Sequence, residues 1–231
     1  MYVHVDRFNL AAGSGTGHQD PAVLAAAASL PGLAGLLTLR QVAGPTAVRL
    51  TWWDTEDDAA SLPGLPTGPA GATGLPAALT GETYEVREML EGPAAGQAPG
   101  YARLVYFDGP RAPEQAAAGD MAGQRRIWPA VRDISGLIRI CVLRRRDLGS
   151  LTVVLATSVA ALEATTQAIM ATELLPDEDP ALLPGPDRVE LHQVTGHRLP
   201  AATTPAATTP AATTPAATTP AASAAAATAR H

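Results

Sequence analysis

The sequence predicts an α+β protein that contains two similar βαββαβ units and ends in a low-complexity tail. Three observations support this fold class. Strand-like and helix-like segments recur in the same order in both halves of the chain. Equivalent positions lie about 100 residues apart throughout, as in Gly32 with Gly136, Thr55 with Ser158, and Glu85 with Glu190. The final segment consists of short repeats without large apolar side chains.

The first unit is predicted over residues 1–91. Short apolar or alternating runs between Gly- and Pro-containing turns indicate its strands, which are predicted at 2–8, 36–42, 48–52 and 84–89. One helix is expected at 21–29. A second is expected to begin after Thr55, whose hydroxyl can cap the amide of Asp57 or Asp58, because the acidic run suits the positive end of a helix.

The second unit is predicted over residues 100–198 by the same signals. Its strands are predicted at 101–107, 138–144, 151–156 and 189–194. One helix is expected at 121–133, and another is expected to begin after Ser158, at the position equivalent to Thr55.

The order of elements in each unit predicts a ferredoxin-like antiparallel sheet with both helices on one face. The other face must also be buried, because apolar residues, Val3 and Val5 among them, occupy both odd and even positions of the strands. A sheet with one face in water would instead alternate between apolar and polar residues. Two such sheets that pack against each other cover both faces. The sequence leaves open whether this happens within one chain or between two copies in a homodimer.

Residues 199–231 are predicted to form a disordered tail. Four copies of Ala-Ala-Thr-Thr-Pro fill positions 201–220, and the recurring Pro removes backbone donors and interrupts helices. The alternative is a glycosylated stalk.

Composition excludes several classes of function. The net charge of −6 argues against a nucleic-acid partner, which needs clustered positive charge. The lone Cys141 excludes an intrachain disulfide, and it is expected to be a buried thiol. His192 and His197 have no acidic or Cys companion at ligand spacing, so no metal site is expected. No apolar run is long enough for a membrane span and no leader is evident, so a cytoplasmic protein is expected.

Two short motifs carry a resemblance to a known family. Residues 30–33 read Leu-Pro-Gly-Leu ahead of the second strand, and residues 51–59 read Thr-Trp-Trp-Asp-Thr-Glu-Asp-Asp-Ala at the end of the third. They resemble the Pro-Gly-Phe and Trp-x-Ser-x-Glu-Ala-like runs of antibiotic biosynthesis monooxygenases, in the dimeric α+β barrel superfamily. The likeness covers most of residues 1–90 and extends more weakly over the next hundred. It implies an intramolecular dimeric α+β barrel.

The resemblance also implies a site. Members of the family include cofactor-independent oxygenases of polyketide phenols and haem-degrading enzymes, in which a Trp lines a cavity between sheet and helices. That Trp corresponds to Trp53. The strand-one Asn of the enzymes is replaced by Asp6, and Asn9 follows at the strand end. Ala156 replaces the Trp in the second unit, so the site is expected in the first.

Strand parity suggests the roles of individual residues. His4 and Asp6 lie two apart, so they share a face on which the acid can orient the imidazole for proton transfer. The alternative is that Asp6 and Arg49 form an ordinary ion pair across neighbouring strands. Trp52 shares a face with Val48 and Leu50, whereas Trp53 lies with Arg49 and Thr51.

The leading hypothesis is a cofactor-independent monooxygenase that acts on a small, hydrophobic, aromatic polyketide-type molecule without metal or flavin. His4 and Asp6 are the predicted catalytic residues, and the predicted substrate-binding residues are Trp53, Asn9, Trp52 and Arg49. The alternative is a non-catalytic small-molecule-binding or assembly protein with the same barrel. A haem-linked role is a third hypothesis.

Overall fold

The computed structural model describes residues 1–10, 30–61 and 80–201. The helix predicted at 21–29 and most of the predicted tail lie outside the described residues.

The described chain contains eight strands and four α-helices. The strands are β1 Tyr2–Asn9, β2 Leu33–Gln41, β3 Thr46–Trp53, β4 Thr80–Glu91, β5 Tyr101–Phe107, β6 Leu137–Arg144, β7 Ser150–Ala156 and β8 Arg188–Arg198. The α-helices are α1 Glu56–Ser61, α2 Pro113–Ala122, α3 Trp128–Val131 and α4 Val159–Met170. A π-helical turn, Gly123–Ile127, joins α2 to α3, and a 3₁₀ turn occupies Pro180–Leu182.

The eight strands form one closed barrel in the order β1-β3-β2-β8-β5-β7-β6-β4, and all neighbours are antiparallel. The first half contributes β4-β1-β3-β2 and the second contributes β8-β5-β7-β6, which is the same order. The pairs β2–β8 and β4–β6 join the two halves. The barrel therefore closes within a single chain, and the predicted α+β fold class is confirmed. The duplication and the domain boundaries stay predictions.

The main core fills the inside of the barrel. Because successive strand side chains point to opposite faces, Val3 and Val5 on β1 point inward, together with Leu50 and Trp52 on β3. They meet apolar residues of the second half, and Cys141 lies among these as a buried thiol. Each fully buried Leu or Val side chain stabilises the fold by about 1.5–3 kcal/mol. Both faces of each sheet are thus covered, as the strand parity predicts.

The outer faces of the two halves differ. In the second half, Ala161 and Leu162 of α4 pack with Ile140, Val154 and other apolar side chains of the sheet. In the first half, the outer apolar cluster of the described residues consists of Leu33, Leu36, Trp53 and Ala59. The same face also carries the polar residues described below, which lie on β1, β3 and β4.

Both predicted helix caps are present. The Asp58 amide donates to Thr55 Oγ1 (3.1 Å), and the Ala161 amide donates to Ser158 Oγ (3.2 Å). The first helix of the second half begins earlier than the predicted residue 121, at Pro113. Pro suits the first helical turn, and the Ala-rich residues that follow favour a helix. These residues show no apolar periodicity, so the sequence pattern does not indicate where the helix begins. Within the described ranges, no helix has the length and apolarity that a membrane crossing requires.

Candidate functional site

A cluster of polar side chains lies on the outer face of β1, β3 and β4 in the first half. Val3 and Val5 point into the barrel, so His4 and Asp6 between and beyond them point outward. The strand register places His4 opposite both Thr51 of β3 and Thr83 of β4, and it places Asp6 opposite Arg49. We call His4, Asp6, Arg49 and Thr83 the outer polar cluster.

Asp6 is the centre of this cluster. Its Oδ1 lies 3.2 Å from His4 Nε2, and its Oδ2 accepts from Arg49 Nε (3.0 Å) and Nη2 (2.6 Å). Asp6 is 3% exposed and Arg49 is 5% exposed. Burial alone would raise the pKa of Asp6, but the hydrogen bond to His4 and the charge and hydrogen bonds of Arg49 lower that pKa below its ordinary value. The predicted ion pair with Arg49 and the predicted contact with His4 thus coexist.

The ionised carboxylate determines where the proton of His4 lies. A carboxylate accepts hydrogen bonds but has none to donate, so His4 Nε2 must carry the hydrogen that points at Asp6. In the neutral ring, Nδ1 then has a free electron pair. Thr83 Oγ1 lies 3.2 Å from Nδ1 and can donate its hydroxyl hydrogen to it. His4 is therefore oriented as a proton acceptor whose receiving atom faces Thr83.

Trp53 lies on the same face as Arg49 and Thr51, as strand parity predicts. It is fully buried, packs with Leu33, Leu36 and Ala59, and donates from Nε1 to Thr51 Oγ1 (2.9 Å). Its indole therefore has a fixed orientation next to the strand that carries Arg49.

Trp52 and Asn9, which were predicted to bind substrate, are not brought to the outer polar cluster. Trp52 is fully buried among the side chains inside the barrel, on the opposite face of β3, and its Nε1 has no hydrogen-bond partner among the residues that the structure describes. Asn9 is exposed at the end of β1, and its parity is that of Val3 and Val5. Of the predicted site residues, His4, Asp6, Arg49 and Trp53 share one face.

Sequence reasoning missed two residues of β4, Gly81 and Thr83. A Cβ atom at position 81 would lie 2.6 Å from His4 Nε2, so only glycine lets the imidazole reach Asp6 without displacement. The strand was predicted to begin at residue 84, which left both positions in a loop. In the structure β4 begins earlier and pairs with β1, which places Thr83 opposite His4 and Gly81 opposite Asp6.

An open groove of about 490 Å³ lies outside Thr83. Its lining is mainly charged and consists of Glu56, Asp57, Ala60, Thr83, Arg145, Arg146 and Asp147. Trp53 is not among these residues, so the groove differs from the Trp-lined cavity that the resemblance implies. Thr83 is the residue that the groove shares with the outer polar cluster.

The second half has no equivalent of this cluster among the described residues. The two halves can be aligned by strand register, since Tyr2 pairs with Trp53 and Tyr101 pairs with Ala156. In this alignment, Arg103 is equivalent to His4. Val105 is equivalent to Asp6. Thr152, Val154 and Ala156 take the places of Arg49, Thr51 and Trp53. The combination of Asp6, His4 and Arg49 on the outer face of the sheet is thus a feature of the first half among the described residues.

No metal centre is evident in the part of the chain that the structure describes, since no three His, Cys, Asp or Glu side chains converge there. The chemistry available to the outer polar cluster is proton transfer, through an imidazole that a buried carboxylate orients.

Comparison with known proteins relates the chain to others by fold. No protein-family model matches it, and no curated protein matches it significantly. A solved structure from Fusobacterium nucleatum, assigned as a monooxygenase, has a TM-score of 0.54 and 11% identity, over 86% of this chain and 94% of that one. An anthrone oxidase-like protein has a TM-score of 0.53 and 15% identity, over 85% of this chain and 92% of that one.

A third solved structure, assigned as a monooxygenase from Lactobacillus acidophilus, has a TM-score of 0.53 and 10% identity, over 86% of this chain and 95% of that one. Such low identities show the fold alone. The resemblance that residues 30–33 and 51–59 indicate is thus confirmed at the level of the fold.

Proposed function

We propose that this chain, a dimeric α+β barrel closed within one polypeptide, is a monooxygenase that oxygenates an electron-rich aromatic molecule of the polyketide type. The observation that carries the proposal is the buried Asp6 carboxylate, which holds His4 with the electron pair of Nδ1 ready to accept a proton. The assigned monooxygenases and the anthrone oxidase-like protein that share the fold support it.

His4 takes the substrate proton in this proposal, and Asp6 positions it. Both oxygens of Asp6 already accept hydrogen bonds, and its lowered pKa makes it a weak base. His4 removes a phenolic proton and leaves a phenolate, which gives up electrons more readily than the neutral phenol. The phenolate then reacts with molecular oxygen. One oxygen atom stays on a ring carbon as a carbonyl. The other leaves as water, with the single hydrogen that this carbon loses and the phenolic proton that His4 took.

The remaining residues support this step. Arg49 keeps Asp6 ionised, because its guanidinium donates twice to one carboxylate oxygen. Trp53 and its apolar neighbours close the outer face beside β3. No protein group on this face is required to carry electrons, because the substrate supplies them to oxygen directly.

Oxygen uptake by the purified protein with dihydroxyanthracene-type phenols tests the proposal. His4→Gln is expected to lower the turnover rate by about 10²–10⁴-fold, the usual contribution of a general base. His197→Gln is the matched control, because His197 is an exposed histidine on β8 and should leave the rate unchanged. Absence of substrate-dependent uptake by the wild-type protein would contradict the proposal.

A non-catalytic binding protein is the second candidate function. It is favoured by the complete pairing within the outer polar cluster, in which both nitrogens of His4 have partners. In that case Trp53→Phe would lower stability by removing the hydrogen bond to Thr51, and the phenol would bind without any oxygen uptake.

A further inference from the structure

We propose that the Thr83 hydroxyl is the catalytic contact between the substrate and His4, and that the substrate occupies the charged groove outside Thr83. This inference rests on the proposed function and specifies how its proton moves. It also specifies the substrate class, which is an aromatic ring that carries several ionisable or hydrogen-bonding oxygens.

The first step of the argument is that neither nitrogen of His4 is open to a ligand. Asp6 covers Nε2 and Thr83 covers Nδ1, each at 3.2 Å. His4 is itself buried and does not line the groove. A molecule in the groove can therefore reach the imidazole only through the group that lies between them.

Thr83 is that group. The residue lines the groove, and its Oγ1 contacts His4 Nδ1. A hydroxyl donates one hydrogen and accepts through its lone pairs, so it can accept a proton from the substrate while its own passes on. Pairing of β4 with β1 places Thr83 directly opposite His4, which holds the contact on two hydrogen-bonded strands rather than on a loop.

The step balances within the named groups. The phenolic O–H of the substrate gives its proton to Thr83 Oγ1, and the hydroxyl proton of Thr83 passes to His4 Nδ1. The products are a phenolate in the groove and an imidazolium at His4. Asp6 accepts from His4 Nε2 and stabilises the positive charge. A second transfer in reverse, from His4 through Thr83 to the reduced oxygen that leaves as water, restores the neutral imidazole.

The lining of the groove indicates what binds there. The Arg146 side chain is 87% exposed, and its Nη2 lies 2.7 Å from Glu56 Oε1. Such an exposed ion pair contributes little, so Arg146 can exchange Glu56 for an anionic oxygen of the substrate. Ala60 is the apolar residue of the lining, and the remaining groups favour a ligand with polar substituents.

Variants of Thr83 test the relay. Thr83→Val keeps the β-branched shape that a strand favours but removes the hydroxyl, whereas Thr83→Ser keeps the hydroxyl. The absorption band of a bound dihydroxyanthracene reports its ionisation, and oxygen uptake reports turnover. Thr83→Val is expected to abolish the phenolate band at neutral pH and lower the turnover rate by about 10²-fold. Thr83→Ser should restore both to within a few-fold, and Thr152→Val on β7 is the control.

Arg146→Gln tests the groove. It is expected to raise KM several-fold and leave kcat unchanged, whereas Arg87→Gln, which removes an exposed ion-paired arginine of β4, should change neither.

The outcomes separate the two proposals. The relay is wrong, and the proposed function stands, if two results are found together. The Thr83→Val protein would ionise and oxidise the phenol as the wild type does, and the His4→Gln protein would do neither. If Arg146→Gln leaves KM unchanged, the groove is not the binding place. A wild-type protein that neither ionises nor oxidises the phenol overturns both proposals.

Discussion

Glu190→Gln is expected to lower the free energy of unfolding by about 3–5 kcal/mol, because it leaves charged groups inside the barrel without their anion. Glu190 is 8% exposed and accepts from Arg7 Nη1 (3.0 Å) and Nη2 (3.1 Å). His192 Nε2 lies 3.0 Å from Glu190 Oε2, and Arg188 Nη1 lies 3.4 Å from Oε1. The contact joins β1 of the first half to β8 of the second, so its loss weakens the association of the halves.

Urea denaturation measures this effect, and Glu85→Gln is the matched control. Glu85 also pairs with an arginine, but both side chains are about half exposed, so the change should be within about 0.5 kcal/mol. An unchanged denaturation midpoint for Glu190→Gln would show that the buried pair does not hold the barrel together.

The same carboxylate predicts how stability depends on pH. Burial alone would raise the pKa of Glu190, but hydrogen bonds from His192 and Arg7 and the charges of Arg7 and Arg188 lower it from 4.5 to about 2. The stabilisation is therefore complete above the unfolded-state pKa and is lost as pH falls from about 4.5 towards about 2. Glu190→Gln should flatten the acid limb of the stability curve over that window.

Asp6→Asn is expected to remove the proposed activity and to lower the free energy of unfolding by about 3 kcal/mol or more, because Arg49 then lies buried beside a neutral amide. The amide also lacks the charge that fixes the Nε2–H form of His4. Turnover and urea denaturation are measured on the same preparation, since the variant affects both.

A double variant separates the two effects of Asp6. Asp6→Asn with Arg49→Met leaves no unpaired buried charge, so it should recover much of the stability but none of the turnover. Full turnover in either variant would show that Asp6 is a structural ion-pair partner alone, which is the alternative that the sequence leaves open.

Much of the fold could be predicted because each strand and turn leaves a local signal. The parity of Trp52 and Trp53 correctly separates the barrel interior from the outer face, because side chains alternate strictly along β3. The capping positions Thr55 and Ser158 are equally local. The start of α2 was missed because an Ala-rich helix shows little apolar periodicity.

The site was less predictable because its contacts depend on register between distant strands. Thr83 and Gly81 precede the apolar part of β4, and only pairing with β1 brings them to His4. Similarly, the sequence suggests no partner for His192, although Glu190 two residues earlier shares its face and contacts it inside the barrel. A charged cluster inside a barrel has no apolar pattern that would reveal it.

The three tryptophans allow a direct test of where the molecule binds its ligand. Trp53 lies on the outer face of the first half, Trp52 inside the barrel, and Trp128 among the helices of the second half. We expect the indole N–H resonance of Trp53 to shift most when a dihydroxyanthracene is titrated into ¹⁵N-labelled protein, with Trp128 unmoved. Saturable shifts confined to Trp128, or to Trp52, would contradict a site on the first outer face.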